Sequence, residues 1–148
     1  MTAPRVEVRA TPFDPGAELS VFPAAGGGAV VSFTGVVRGD GGLTALEIEH
    51  WPGATEAALA EMAARAQARW GLTAVRVVHR HGTLAPGEPI MMVLAAAPHR
   101  RAAFEAAEAL MDWLKSRAPF WKREHGPGGA AWVPARAEDE AALGRWEG

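Results

Sequence analysis

The most regular hydrophobic pattern in the chain lies between residues 98 and 117. Small and apolar side chains recur there at spacings of three and four residues: Ala103, Ala107, Leu110 and Leu114. This periodicity predicts a helix with one buried face. Pro119 cannot continue a helix and disfavours helical geometry at Ala118. We therefore predict one long central helix that starts at His99 and breaks before Pro119.

Alternating positions and valine-rich runs predict the strands of the N-terminal part. Residues 5–10 and 43–50 alternate between apolar and polar, and residues 29–38 are rich in valine, with Gly35 as a possible bulge. A short glycine-rich connection separates the last two runs. We therefore expect them to form a hairpin with Arg38 at its tip.

The rest of the chain mixes helices with strands. Residues 90–97 are continuously apolar, which is typical of a strand buried on both faces, and they lead directly into the central helix. Thr55 is placed to cap a helix over residues 55–70. The other segments are predicted as a helical turn at 15–21, a strand at 75–81, loops at 82–89 and 125–129, a short strand at Trp132–Val133 and a terminal helix at 138–146. This order indicates an α+β fold, and we expect residues 1–148 to form one domain.

The charge distribution favours a small anionic ligand over a nucleic acid. The net charge is −2, yet residues 99–124 carry six Arg or Lys against four Asp or Glu, whereas a general nucleic-acid binder is strongly basic. The absence of cysteine excludes disulfides, thiolate metal sites and a cysteine nucleophile. No apolar run is long enough to span a bilayer and the N-terminus has no signal core, so we expect a cytoplasmic location.

Lys115 and Lys122 are the only two lysines, beside thirteen arginines. A lysine amine can lose its proton when it is desolvated or placed near another cation, which an arginine does not do in proteins. One interpretation is that both are ordinary surface charges. We favour the other, in which the pair is retained for acid–base or nucleophilic chemistry.

His99 and Arg100 stand at the start of the central helix, where free backbone N–H groups and the helix dipole favour an anion. They form a candidate phosphate site, with an exposed helix start bearing ordinary charges as the alternative. His79 and His81 lie two residues apart on a predicted strand, and we interpret them as structural or solvated because no third metal ligand is evident. His50 and His125 are interpreted as incidental.

Four segments resemble the large, catalytic subunit of molybdopterin synthase, the MoaE family: GAVVSFTGVVR, ALEIEHWPG, the PHR helix start and MDWLKSRAPFWKRE. The resemblance extends from about residue 28 to about residue 136. It implies an α/β hammerhead fold that dimerises through its sheets. The implied reaction inserts two sulfurs into cyclic pyranopterin monophosphate to form the dithiolene of molybdopterin. Sulfur arrives as a thiocarboxylate on the C-terminal Gly-Gly of a small ubiquitin-like partner, and neither a metal nor a cofactor is implied.

The resemblance also implies the site residues. Lys115 and Lys122 are the implied catalytic pair. The implied substrate contacts are Val36, Val37, Arg38, His99, Arg100, Lys115, Lys122, Arg123 and Glu124. The turn after Arg38 is shorter than in relatives, and Trp51 stands where tyrosine is common.

The chemistry of this reaction suits those residue types. Arg38, Arg100 and His99 can orient the substrate phosphate through charge-assisted hydrogen bonds. A lysine can protonate the leaving oxygen or stabilise an oxyanion, and we expect Met111 and Trp121 to give the lysine pair apolar cover.

The length of the central helix indicates a site shared between two chains. His99 and Lys115 are sixteen residues apart on one predicted helix, which is about 24 Å at ~1.5 Å per residue. A pterin monophosphate is too short to touch both. We expect each site to take Lys115 and Lys122 from one subunit and His99 and Arg100 from its partner in a two-fold dimer.

Two other classes of protein remain open at this point. A binding module that only receives a ubiquitin-like tail would show no turnover with a thiocarboxylated partner. A small RNA-binding domain is disfavoured by the net charge and would bind with steep salt dependence.

Overall fold

The computed structural model describes residues 2–24, 26–134 and 136–147. Within them the helices are α1 (Pro15–Val21), α2 (Ala54–Trp70), α3 (Arg100–Ser116) and α4 (Ala137–Gly144). The strands are β1 (Arg5–Arg9), β2 (Ala29–Val36), β3 (Ala45–His50), β4 (Ala74–Arg80), β5 (Gly82–Leu84), β6 (Pro89–Ala97), β7 (Phe120–Gly126) and β8 (Gly129–Trp132). A single 3₁₀ turn covers Asp40–Gly42. Of the helices described, none has both the length and the apolar character needed to cross a membrane.

The strands form two four-stranded sheets. The first has the order β1-β4-β6-β2 and the second the order β5-β3-β7-β8. Neighbouring strands are antiparallel except for β1 and β4, which are parallel. Two sheets of mainly antiparallel strands combined with helices confirm the predicted α+β class.

The predicted hairpin between residues 29–38 and 43–50 is wrong. β2 pairs with β6 in the first sheet, whereas β3 pairs with β5 and β7 in the second. The apolar strand β6 offers β2 a longer partner than β3 does, with a register shift after Gly35 that confirms the bulge. Arg38 consequently lies on the segment that crosses between the sheets, and not at a hairpin tip.

The turns of the second sheet also differ from the prediction. Residues 82–84 form β5, although the sequence indicates a loop at 82–89. Of the predicted loop at 125–129, only residues 127–128 connect the strands of the β7–β8 hairpin, because 125–126 belong to β7 and 129 belongs to β8. The strand predicted at Trp132–Val133 is β8, which begins earlier, at Gly129, and ends at Trp132.

The core lies on both faces of the first sheet. β4 is buried along its whole length, as is β6 beyond its first residue. Leu59 of α2 and Leu110 of α3 pack on one face, and Phe13 packs with Val78 and Met92 on the other. β6 leads into α3 with two residues between them, which confirms the predicted junction.

The packing at this junction can be tested by a substitution at Gly28. A Cβ built on Gly28 would overlap the carbonyl oxygen of Pro98, which is backbone and cannot swing away. We therefore expect Gly28→Ala to lower the free energy of unfolding by about 1–3 kcal/mol, measured by urea titration. Gly128→Ala is the matched control, because a Cβ there meets no described atom within 4 Å. Equal stabilities of the two variants would contradict the close approach.

Candidate active site

Lys115 and Lys122 stand on either side of the corner that joins α3 to β7. Lys115 is exposed in the last turn of α3, one turn after the buried Met111. Lys122 is partly buried on β7, directly opposite Ile48 of β3. Burial and, after it, the positive charge of Lys115 lower the pKa of Lys122 to about 8, against the opposite effect of Asp139 of α4. The two lysines that the sequence singles out thus form one electrostatically coupled pair.

Thr55 stabilises this corner through hydrogen bonds and is not the N-cap that the sequence predicts. The N-cap of α2 is Gly53, and Thr55 lies inside the helix. Its hydroxyl accepts a hydrogen bond from the Trp51 N–H at 2.9 Å and donates one to the Pro119 carbonyl at 3.0 Å. The fully buried Thr55 therefore ties the residue that breaks α3 to the start of α2.

His79 of β4 supports the start of β7. Its ring stacks on Phe120 with the centroids 3.8 Å apart and the planes 14° from parallel. Nδ1 lies 2.7 Å from the Arg80 carbonyl oxygen, which can only accept, so Nδ1 carries the proton. Burial is the main cause that lowers the pKa of His79 to about 3; the hydrogen bond to the Arg80 carbonyl acts in the opposite direction, and the charges of Lys122, Lys115 and His50 add to the lowering. His79 is therefore a neutral ring beneath two amines.

His50 and His81 complete a group of three histidines near the lysine pair. His50 lies opposite Phe120 in the β3–β7 ladder, and its ring lies 4.2 Å from that of His81. Burial, followed by the charge of His50, lowers the pKa of His81. The sequence alone indicates no role in the site for either residue. Within the described residues, no three His, Asp or Glu side chains are grouped as metal ligands.

The apolar cover of Lys122 differs in part from the expectation. Met111 is buried one turn before Lys115, as expected. Trp121, however, points to the opposite face of β7 from Lys122, because side chains alternate along a strand, and it is 48% exposed. Phe120 and Ile48 take its place beside Lys122.

The same alternation separates Arg123 from Lys122. The Arg123 guanidinium lies 3.9 Å from both Glu47 and Glu49, and 4.5 Å from the centre of the Trp132 ring. Glu124 is exposed and shares the face of Lys122. Lys122 and Glu124 thus share one face of β7, and Arg123 lies on the other face.

Val36, Val37 and Arg38 lie where the chain leaves the first sheet. Val37 is buried, and both its backbone groups bond to the turn before β6: its N–H donates to Glu88 and its carbonyl accepts from Gly87. Val36 and Arg38 are exposed on either side of it, and the Arg38 Nε lies 3.9 Å from Asp40. Val37 therefore anchors a segment that presents Arg38 to solvent.

His99 and Arg100 form the exposed N-terminus of α3. His99 is the N-cap, and its side chain makes no capping hydrogen bond within the described chain. The helix continues without interruption from Arg100 to Ser116, so His99 and Lys115 are about 24 Å apart at ~1.5 Å per residue. Within one chain the structure does not bring this cationic end and the lysine pair together.

The comparisons with known proteins identify the family. The family model described as MoaE protein matches residues 8–117. The chain belongs to the MoaE family. The molybdopterin synthase catalytic subunit of Cereibacter sphaeroides is 61% identical over 145 residues, which are 96% of this chain and 99% of that protein. The corresponding subunit of Mesorhizobium japonicum is 50% identical, over 98% and 94% of the two chains. The resemblance carried by the PHR and LKSRAPFWKRE segments is therefore confirmed, and with it the enzyme class.

Solved structures of the family share the fold. The MoaE protein of Burkholderia ambifaria superposes with a TM-score of 0.82 at 44% identity, over 96% of this chain and 97% of that one. Molybdopterin synthase from Staphylococcus aureus gives a TM-score of 0.79 at 29% identity, over 86% and 96%. A complex of subunits 1 and 2 of molybdopterin-converting factor from Helicobacter pylori gives a TM-score of 0.74 at 19% identity, which shows the fold alone.

The neutral state of His79 predicts a dependence of stability on pH. Because its pKa in the folded protein is about 3, the unfolded chain binds a proton between about pH 6.5 and about pH 3 that the folded protein excludes. Stability should therefore fall as the pH drops through this window. Between about pH 7.5 and about pH 5, we expect the free energy of unfolding to fall by about 1–2 kcal/mol less in His79→Phe than in the parent protein, measured by urea titration. Equal pH dependence in the two proteins would show that His79 titrates normally in the fold.

Proposed function

We propose that this chain transfers sulfur from the C-terminal thiocarboxylate of a small ubiquitin-like partner to cyclic pyranopterin monophosphate in the cytoplasm, and so forms the dithiolene of molybdopterin. The observation that carries this proposal is the coupled pair of Lys115 and Lys122, in which one amine has a pKa lowered to about 8. Family membership supplies the reaction class, and the pair supplies groups suited to its proton transfers.

The steps of the reaction require a proton donor and a positive charge, and the lysine pair can supply both. The thiocarboxylate sulfur attacks a side-chain carbon of the pterin while an oxygen leaves, and the acyl group is then removed by water. The leaving oxygen needs a proton donor whose pKa lies near the working pH, which suits Lys122. The tetrahedral intermediates need a fixed positive charge near their oxyanion. Lys115 is placed to supply it from the neighbouring turn of α3.

The substrate phosphate needs cations that are free to reach it. Arg38 is largely exposed, and Arg100 and His99 are exposed at a helix N-terminus. Free backbone N–H groups in the first turn of α3 add to the attraction of an anion. We propose that these three side chains orient the phosphate.

A sulfur-carrying partner is needed because this chain has no cysteine from which sulfur could be transferred. We propose that the partner of this chain delivers a Gly-Gly tail to the lysine pair, since only residues without side chains allow such a close approach of backbone to both amines.

A second copy of the chain would complete the site. The uninterrupted α3 keeps the phosphate-binding end about 24 Å from the lysine pair of its own chain. Exposed apolar side chains lie along one edge of the first sheet: Val30, Phe33 and Val36 on β2, an edge strand, and Phe104 on α3, which packs against β2. An exposed edge strand that carries apolar side chains is a surface on which another chain can pack. We propose that a homodimer within a heterotetramer brings His99 and Arg100 of one chain to Lys115 and Lys122 of the other.

The titratable amine of Lys122 can be tested by an arginine substitution. Lys122→Arg keeps the positive charge and most of the length but removes the titratable amine. We expect loss of sulfur transfer to cyclic pyranopterin monophosphate by a protein that is still folded and still binds the thiocarboxylated partner. Near-normal turnover would mean that only the charge of Lys122 matters.

The shared site can be tested by mixing inactive variants. Lys115→Ala and Arg100→Ala chains are combined under conditions of subunit exchange. We expect about a quarter of the parental turnover, since half of the dimers are mixed and each of these has one intact site. The control mixes Lys115→Ala with a chain that carries both substitutions, which leaves no intact site. Mixed dimers that form but remain inactive would place the whole site within one chain.

A further inference from the structure

We propose that His79 is a positioning residue for the sulfur-transfer site: its ring, stacked beneath Phe120, fixes the start of β7 and holds Lys122 beside Lys115. This inference rests on the proposed function, because it assigns His79 a role in the placement of the lysine pair. His79 does not touch the reacting atoms in this proposal.

The geometry of β7 links the position of Phe120 to that of Lys122. Phe120 and Lys122 are two residues apart on one strand, so their side chains leave the same face. The ring of Phe120 lies parallel to that of His79 at 3.8 Å. Any movement of Phe120 away from the stack would carry Lys122 with it.

The His79 ring that supports Phe120 is itself held in place. His79 is 1% exposed, and its strand β4 lies between β1 and β6 in the first sheet. The hydrogen bond from Nδ1 to the Arg80 carbonyl, 2.7 Å long, fixes the ring orientation. β7 belongs to the second sheet, so the stack transmits the position of a central strand of one sheet to the lysine of the other.

The charges around the pair explain why a neutral aromatic ring is required there. Lys122 is faced by Lys115 from α3 and by Asp139 from α4, and His79 is faced by both lysines and by His50 from β3. A protonated ring at position 79 would add another positive charge to two amines. The neutral imidazole packs beneath the strand without this repulsion and excludes water from below Lys122.

The experiment uses the small number of lysines in the chain. Protein labelled with ¹³C at lysine Cε gives two lysine signals, which are assigned by Lys115→Arg and Lys122→Arg, and titration of each signal reports the pKa of its amine. In His79→Ala the stack is lost and water can enter. We expect the pKa of Lys122 to rise from about 8 toward the ordinary lysine value of about 10.4, and kcat to fall by about tenfold or more.

Two further variants separate positioning from stability. His79→Phe keeps the stack but loses the hydrogen bond to the Arg80 carbonyl, so it should unfold at a lower temperature while the pKa of Lys122 stays near that of the parent. Val78→Ala truncates the fully buried neighbour, which packs with Phe13 on the other face of the sheet. It should likewise lower the unfolding temperature and leave the pKa of Lys122 unchanged.

The outcomes distinguish this inference from the proposed function. An unchanged pKa of Lys122 in folded His79→Ala would overturn the inference whatever the turnover. A raised pKa with no loss of turnover would support the placement of Lys122 by His79 but contradict the catalytic role of Lys122. If His79→Ala does not fold, Phe120→Leu removes the stack from the other side and should raise the pKa of Lys122 in the same way. A folded Phe120→Leu protein with the parental pKa would overturn the inference.

Discussion

The partial burial of a lysine head group is the constraint on which the rest of the site depends. An ammonium group that is taken out of water loses hydration free energy, so burial favours the neutral amine and lowers the pKa. The effect lasts only while water is kept away and the second amine stays close. Both conditions are maintained by three features: the hydrogen bonds of Thr55, the β3–β7 ladder and the His79 ring beneath Phe120. Contacts from both sheets therefore meet next to a side chain whose charge is disfavoured by its surroundings.

The parts of the fold that depend on local physics could be predicted from the sequence. α3 follows from the spacing of its small apolar residues, its end follows from Pro119, and β6 follows from an unbroken apolar run. The pairing of Lys115 with Lys122 could also be expected, because the two lie seven residues apart on either side of the break at Pro119. In each case the decisive residues lie within one segment of the chain.

The parts that depend on pairing between distant strands could not be predicted. Nothing near His50 indicates that it lies opposite Phe120, and nothing near His79 indicates that its ring meets the same phenylalanine. The error over the β2–β3 hairpin has the same origin, since β2 pairs with β6 in the other sheet. The sequence does not identify residues 120–126 as a strand, so it does not show that Trp121 turns away from its neighbour Lys122. The site is thus a product of topology as much as of residue type.

The length of α3 has a consequence for how such a chain can change over evolution. Both ends of this helix are engaged, one by the junction with β6 and the other by the corner with β7. One inserted residue would lengthen it by about 1.5 Å and turn everything beyond it by about 100°, so the apolar face would leave the core. Gly128 in the β7–β8 turn carries no such restriction, because a side chain added there meets no described atom within 4 Å. Substitutions can therefore accumulate at this position, whereas α3 must keep its length to hold both of its junctions in place.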